Sequence, residues 1–322
     1  MSLSSRAVAV TVGYAHSCAL TTAGGVKCWG CMTVIEDNIC EDSSTPVSVP
    51  GLSTGVVAIA AGYGHTCALT ATGAVKCWGL NWHGQLGDGT TTSRSVPVPV
   101  SGLSSGVVAI ATGDYYSCAL TIAGAVKCWG WNLYGQLGDG TLQDRHSPVS
   151  VSGLSSGVSA ISSAALHSCA LTRAHGVKCW GKISDGSSGG IVGSTPKDFG
   201  TFTGLVAIDA GNSRACALKG DGALLCLKLG QGGVPIAEPI YTRGVVASAG
   251  GSACVSMASG AVTCRLTCCN MPKLPSVTAL VRARASLLVN SLGVGTHTLR
   301  ATYSGDAAHS QSSGSRAQTI VP

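Results

Sequence analysis

Six pairs of cysteines, each ten positions apart, punctuate this chain: Cys18/Cys28, Cys67/Cys77, Cys118/Cys128, Cys169/Cys179, Cys216/Cys226 and Cys254/Cys264. Each pair frames a similar block, clearest as Ser117-Cys118-Ala119-Leu120-Thr121 followed by Gly124-Ala125-Val126-Lys127-Cys128-Trp129-Gly130. Two short extended runs around a Gly-bearing turn predict a hairpin turning near residue 123. Side chains alternate across a strand, so Cys118 and Leu120 share a face with Val126 and Cys128. In that register Leu120 opposes Val126 and Cys118 opposes Cys128. Opposed Cα atoms of a non-hydrogen-bonded pair lie about 4.5–5.5 Å apart, a separation that a disulfide accepts. Each pair can therefore staple its own hairpin, for roughly 2–3 kcal/mol of loop-closure entropy.

Metal binding is the rival use of paired cysteines. Zinc needs four converging ligands, usually from two closely spaced pairs, whereas successive pairs here stand 49, 51, 51, 47 and 38 residues apart. Cys28-Trp29-Gly30-Cys31 spells a CxxC, but Cys28 already has a partner in the repeat pattern. Cys31 and Cys40 bracket an insertion confined to the first repeat and are expected to pair with each other. Cys268 and Cys269 are adjacent, and their state is open. Sixteen cysteines used in this way predict an oxidising compartment, hence an extracellular or cell-surface protein. Met1–Arg6 carries no signal-peptide core, so the expectation is a piece of a longer secreted chain.

A period near fifty residues with short strands is the signature of a propeller or array. The expected fold is all-β: a disulfide-stapled β-propeller of four-stranded blades, six recognisable and seven conceivable. In the third repeat the strands read Gly106–Gly113, the two arms of the cysteine hairpin, and Ser147–Leu154. A polar loop, Asn132-Leu133-Tyr134-Gly135-Gln136-Leu137-Gly138-Asp139-Gly140-Thr141, separates the last two. The propeller is expected over residues 1–270. Pro272 and Pro275 mark a linker, and 271–322 reads as a partial immunoglobulin-like β segment, with Val294–Asp306 resembling the final hairpin of such a module.

The strings Gly-x-x-His-Ser/Thr-Cys-Ala-Leu-Thr, Gly-x-Val-Lys-Cys-Trp-Gly and Asn-x-x-Gly-Gln-Leu-Gly-Asp-Gly-Thr resemble the regulator of chromosome condensation repeat. The resemblance covers roughly residues 7–265 and is closest to the bacterial secreted branch, where paired cysteines are common. It implies a β-propeller, commonly seven-bladed and closed by strands from both chain ends. The Gly-Gln-Leu-Gly-Asp-Gly-Thr loop is intact only at 84–90 and 135–141, and repeat four departs from it as Lys182-Ile183-Ser184-Asp185-Gly186.

No catalytic constellation is visible. Asp88 and Asp139 sit in Gly-Asp-Gly-Thr turns, where Asp caps its own backbone, and lack the alternating acidic spacing of a calcium loop. There is no nucleophile elbow, phosphate loop or zinc-protease motif, so no catalytic residue, metal or cofactor is expected. The recurring His16, His65 and His167, replaced by Tyr116 in repeat three, are expected to plug their own blades. Lys27, Lys76, Lys127 and Lys178 occupy one repeat position and read as a solvated strand face, which argues against nucleic acid as a partner. No apolar run is long enough to span a membrane.

Functional information lies where loops depart from the repeat. Trp82, His83, Trp131 and Tyr134 are large residues on the polar loops. Tyr63, Asp114 and Tyr115 lie in the turn before the cysteine hairpin. Aromatics on the loops of a rigid scaffold are typical binding anchors; the alternative is that each packs on the adjacent blade. Trp29, Trp78, Trp129 and Trp180 follow the second cysteine and read as structural. The expected function is a non-enzymatic, monomeric secreted scaffold that binds a protein or glycan through these loops. Nucleotide exchange on a small GTPase, as in the family's namesake, and an extracellular propeller enzyme are the alternatives.

Overall fold

A computed structural model describes residues 7–31, 43–182, 193–200, 202–211 and 215–220 with their side chains, and the backbone of further strands up to residue 320. Among the described residues all regular structure is β. The first sheet joins β1 (Ala7–Val12), β2 (His16–Thr21), β3 (Val26–Ile35) and β4 (Ile39–Ser48). The second joins β5 (Val56–Ala61), β6 (His65–Thr70), β7 (Val75–Gly79) and β8 (Arg94–Pro99). The third joins β9 (Val107–Thr112), β10 (Tyr116–Thr121), β11 (Val126–Gly130) and β12 (Arg145–Ser150). The fourth joins β13 (Val158–Ser163), β14 (His167–Thr172), β15 (Gly176–Ile183) and β16 (Ile191–Thr201). The fifth joins β17 (Leu205–Gly211), β18 (Arg214–Lys219), β19 (Leu224–Leu229) and β20 (Pro235–Ile240).

All five are antiparallel meanders, the four-stranded blades that the repeat predicts. A sixth sheet has three described strands, β21 (Val245–Ala249), β22 (Ser252–Ser256) and β23 (Val262–Leu266). A separate pair, β24 (Gly295–Tyr303) and β25 (Ser312–Ile320), lies in the C-terminal segment. The stretch 294–306 thus supplies one strand of a pair whose second strand follows at 312–320, rather than a whole hairpin.

The hairpin register is the one the cysteine spacing requires. Cys118 opposes Cys128 and Leu120 opposes Val126, and the same pairing recurs in blades one, two and four. Disulfides close Cys18–Cys28, Cys67–Cys77, Cys118–Cys128 and Cys169–Cys179, each with its Cα atoms 4.1 Å apart. Cys216 opposes Cys226 and Cys254 opposes Cys264 in the same register. Cys31 and Cys216 are disulfide-bonded, while the side chains of Cys40, Cys226, Cys254 and Cys264 lie outside the described residues, as do Cys268 and Cys269.

The first strands of successive blades lie side by side, and each hydrophobic core is shared between one blade and the next. Cys18, Leu20, Val26, Cys28, Val49 and Leu52 of blade one pack with Val56, Ala68 and Trp78 of blade two. The next junction repeats this with Cys67, Leu69, Val75 and Cys77 against Ala119 and Trp129. This arrangement explains the alanine between Cys and Leu in the first five repeats. Ala68, Ala119 and Ala170 turn their methyls into the core of the preceding blade and are fully buried there, where a larger side chain would force the blades apart.

Candidate functional site

The blades are tied together by polar hydrogen bonds across their junctions. His16 Nε2 lies 2.7 Å from Thr66 Oγ1, and His65 Nε2 lies 2.9 Å from Ser117 Oγ. Tyr116 takes the same place in blade three, with its hydroxyl 2.9 Å from Ser168 Oγ. The recurring ring is therefore a bolt to the next blade, not a plug within its own. The reason is local. The ring lies over Gly13 or Gly62, where a Cβ would collide with it, and so extends sideways across the junction. The repeated tryptophans bolt in the opposite direction. Trp129 Nε1 donates to Gln85 O at 2.9 Å, and Trp180 Nε1 donates to Gln136 O at 2.9 Å.

Those glutamines belong to the two intact polar loops, which are internally knotted. Asn81 Oδ1 accepts from Leu86 N at 2.9 Å, and Asn81 Nδ2 donates to Thr90 O and Thr92 O, both at 3.0 Å. Asp88 caps Thr90 as the sequence predicts, and it also receives Arg94 Nε at 3.1 Å. Burial by itself would raise the Asp88 carboxyl. The hydroxyl and N–H of Thr90 and the Arg94 guanidinium outweigh burial and hold it below the usual carboxylate value. Asp139 repeats this arrangement with Thr141 and Arg145. Within each knot the Gln side chain fixes the loop's bend: Gln85 Oε1 accepts from His83 N, and Gln136 Oε1 from Tyr134 N, both at 2.9 Å.

On this rigid base the loops carry a continuous line of rings across three blades, ending under a lysine of the fourth. Tyr14 stacks on Tyr63 with centroids 4.4 Å apart and planes 16° from parallel. Tyr63 meets Tyr115 at 5.0 Å, and Tyr115 meets Trp131 edge-on at 5.8 Å. Trp131 meets Tyr134 edge-on at 5.4 Å, and Lys182 Nζ sits 4.7 Å over the Tyr134 ring. His83 closes the middle of the line, 5.7 Å from Tyr115 and 5.5 Å from Trp131. The turns beneath are laced together: Tyr14 N donates to Tyr63 O at 3.1 Å, Tyr63 N to Asp114 O at 2.9 Å, and Trp131 N to Tyr115 O at 2.9 Å. The line is thus positioned by main chain, not by flexible side chains.

Asp144 organises the centre. One carboxylate oxygen accepts from Asn132 N at 2.8 Å, and the other lies 2.7 Å from His83 Nδ1. With Nδ1–H donating to the carboxylate, Nε2 of His83 is left open. Burial, then the neighbouring Tyr63 and Asp114, push the Tyr115 hydroxyl up to about 12, so it stays protonated at physiological pH.

Of the seven residues singled out by sequence, Tyr63, His83, Tyr115, Trp131 and Tyr134 join this line. Asp114 supplies the turn beneath it. Trp82 makes none of its ring contacts and is 54% exposed. Sequence reasoning missed Tyr14, 70% exposed at the end of the line, although Gly13-Tyr14-Ala15-His16 aligns with Gly62-Tyr63-Gly64-His65. It also missed Lys182, which lies in the altered loop of the fourth repeat. Among the described residues no three His, Cys, Asp or Glu side chains cluster to hold a metal, and no helix is long and apolar enough to cross a membrane.

Interlocked four-stranded antiparallel blades of this kind form a β-propeller. Residues 72–120 and 123–171 match one profile of the Regulator of chromosome condensation (RCC1) repeat, and residues 7–34, 56–85 and 107–136 match a second. The chain is 34% identical over 190 residues to the human E3 ubiquitin-protein ligase HERC2, covering 56% of this chain but 4% of that protein. It is 32% identical over 134 residues to the ultraviolet-B receptor UVR8 of Arabidopsis thaliana, 41% of this chain and 30% of the receptor. The matched region is therefore a small part of these relatives.

Two solved structures share the fold. Human WBSCR16 superposes with a TM-score of 0.61 at 24% identity, covering 73% of this chain and 68% of that one. Yeast RCC1 (Prp20), solved bound to Kap60, superposes with a TM-score of 0.55 at 23% identity, covering 68% and 55%.

Proposed function

We propose that this protein is an extracellular, non-enzymatic scaffold that binds a protein partner through the aromatic line from Tyr14 to Tyr134. The observation that carries the reading is the line itself. Five aromatic rings and His83 are brought together from segments some fifty residues apart, on loops that the fold holds rigid. Tyrosine and tryptophan are the residue types most enriched at protein-binding hot spots, because they supply large amphipathic contact area at little entropic cost. A glycan is the weaker reading. Sugars stack on flat, open ring faces, and here the rings at the Trp131 end stand edge-on to one another. Four buried disulfides fit an oxidising compartment.

The test is affinity capture from extracellular and intracellular extracts of the source organism, with the wild-type chain and a Tyr115→Ala/Trp131→Ala variant as parallel baits. The expected result is a protein retained by the wild type and lost from the variant. Retention that is equal on both baits, or of oligosaccharide alone, sinks the reading.

A further inference from the structure

The aromatic line has an unbalanced hydrogen-bond inventory. Trp131 Nε1 donates to no described residue, and the hydroxyls of Tyr14 and Tyr134 have no partner among them. The Tyr115 hydroxyl is held protonated, with the Tyr63 ring 5.0 Å away. The charges along the line are already engaged: Asp144 by His83 and Asn132 N, and Lys182 by the Tyr134 ring. What remains for a partner is therefore neutral and aromatic, with the Trp131 and tyrosine donors set around one acceptor, Nε2 of His83. The rings near the Trp131 end stand edge-on, with planes 89° and 79° apart. They form ridges with slots between them rather than a flat platform.

A fitting partner offers carbonyl acceptors, few donors, no charge and small rigid apolar bodies for the slots. We infer that the line takes an extended proline-rich peptide in the polyproline II conformation. Proline lacks an N–H, so a run of prolines presents carbonyl acceptors alone. Its helix is formed before binding, which limits the entropic cost of docking. Donors set among aromatic edges are how proline-rich segments are recognised on other scaffolds. Every hydroxyl of a glycan brings a donor with its acceptors, and those donors find few free acceptors along the line. Acidic or basic peptides find no opposite free charge along the line.

This inference rests on the protein-binding reading, and one experiment separates the two. A fluorescein-labelled proline decamer is titrated into the oxidised full chain with polarisation as readout. A Gly-Ser decamer and a neutral gluco-oligosaccharide run alongside. The expected result is saturable binding of the proline decamer at sub-millimolar concentration, with neither control bound. Trp131→Phe, which keeps the ring and removes the donor, should weaken binding several-fold. Trp131→Ala should weaken it by about tenfold or more. Circular dichroism and retained disulfides establish that both variants are folded. A flat titration with the proline decamer, or equal binding of the Gly-Ser decamer, overturns the inference. If capture from extracts still depends on Tyr115 and Trp131 in that case, the protein-binding reading stands and only the proline-rich ligand falls. Binding of the oligosaccharide alone overturns both.

Discussion

His167 and Ala215 occupy the places that His65 and Ser117 hold at an earlier junction, yet no hydrogen bond joins them. Ala215 opposes Leu227 in its hairpin as Ser117 opposes Trp129, but it has no hydroxyl to offer. Among the described residues neither ring nitrogen of the buried His167 has a partner. A second departure accompanies the first: Ala164 stands where Gly13 and Gly62 lie under their histidine rings, at positions where a Cβ would collide. The junction between blades four and five has thus lost both the acceptor and the space for the bolt. Other bonds hold it, including Ser162 Oγ to Asp209 Oδ1 at 2.9 Å.

Restoring the bolt therefore needs both changes. Ala215→Ser alone places a hydroxyl beyond the displaced ring. Ala164→Gly alone loosens the turn, at roughly 0.5–1 kcal/mol. Together they should couple favourably by about 1 kcal/mol, the worth of a buried neutral hydrogen bond. Urea unfolding of the four members of the cycle gives the coupling directly. Strict additivity would show that the orphaned ring has another cause.

The orphaned ring also sets an acid limit. Burial without a partner lowers the His167 pKa from 6.5 to about 4. The unfolded chain therefore binds a proton on this residue below about 6.5, and the folded chain does so only near 4. Stability is fully present above pH 6.5 and declines as pH falls through that window, by about 3 kcal/mol in all. The lowered pKa values of Asp88 and Asp139 add their own losses only at more acidic pH. His167→Phe keeps a flat ring and should flatten the dependence between pH 6.5 and 4 in urea unfolding. An unchanged slope would assign the acid sensitivity elsewhere.

The staples should act singly. Each closes a ten-residue separation inside one hairpin, so replacing both Cys118 and Cys128 by Ser should cost about 2–3 kcal/mol without changing the blade register. Mass-shift thiol labelling of native and reduced chain checks the oxidation state. Twelve or more free thiols in the native chain would contradict the stapled structure.

What could be read in advance was whatever repeats locally. Cysteine spacing and alternation specified the hairpin register, because both strands and their turn lie within some fifteen residues. The loop aromatics stood out because they depart from a repeated pattern. Their mutual contact did not, since Tyr14, Tyr63 and Tyr115 come from different blades and only the packing between blades joins them. The histidine bolt escapes the sequence for the same reason: its hydrogen-bond partner, Thr66, lies 50 residues away. Ala164 and Ala215 each read as ordinary small residues until the junction shows what they replace.

Two tryptophans two positions apart separate folding from binding. Trp129 is fully buried, and its Nε1 reaches the carbonyl of Gln85 in the preceding blade. Trp131 is only partly buried, and its Nε1 has no described acceptor. Trp129→Phe should leave a buried carbonyl with one fewer donor and a small void, lowering stability by about 1–3 kcal/mol. Ser117 Oγ still donates to the same oxygen at 3.0 Å, which favours the lower part of that range. Trp131→Phe should change stability by no more than about 0.5 kcal/mol while weakening the bound partner. Paired urea melts and binding titrations of the two variants check this. Equal losses of stability would mean that Trp131 is part of the framework and that the aromatic line is not a site.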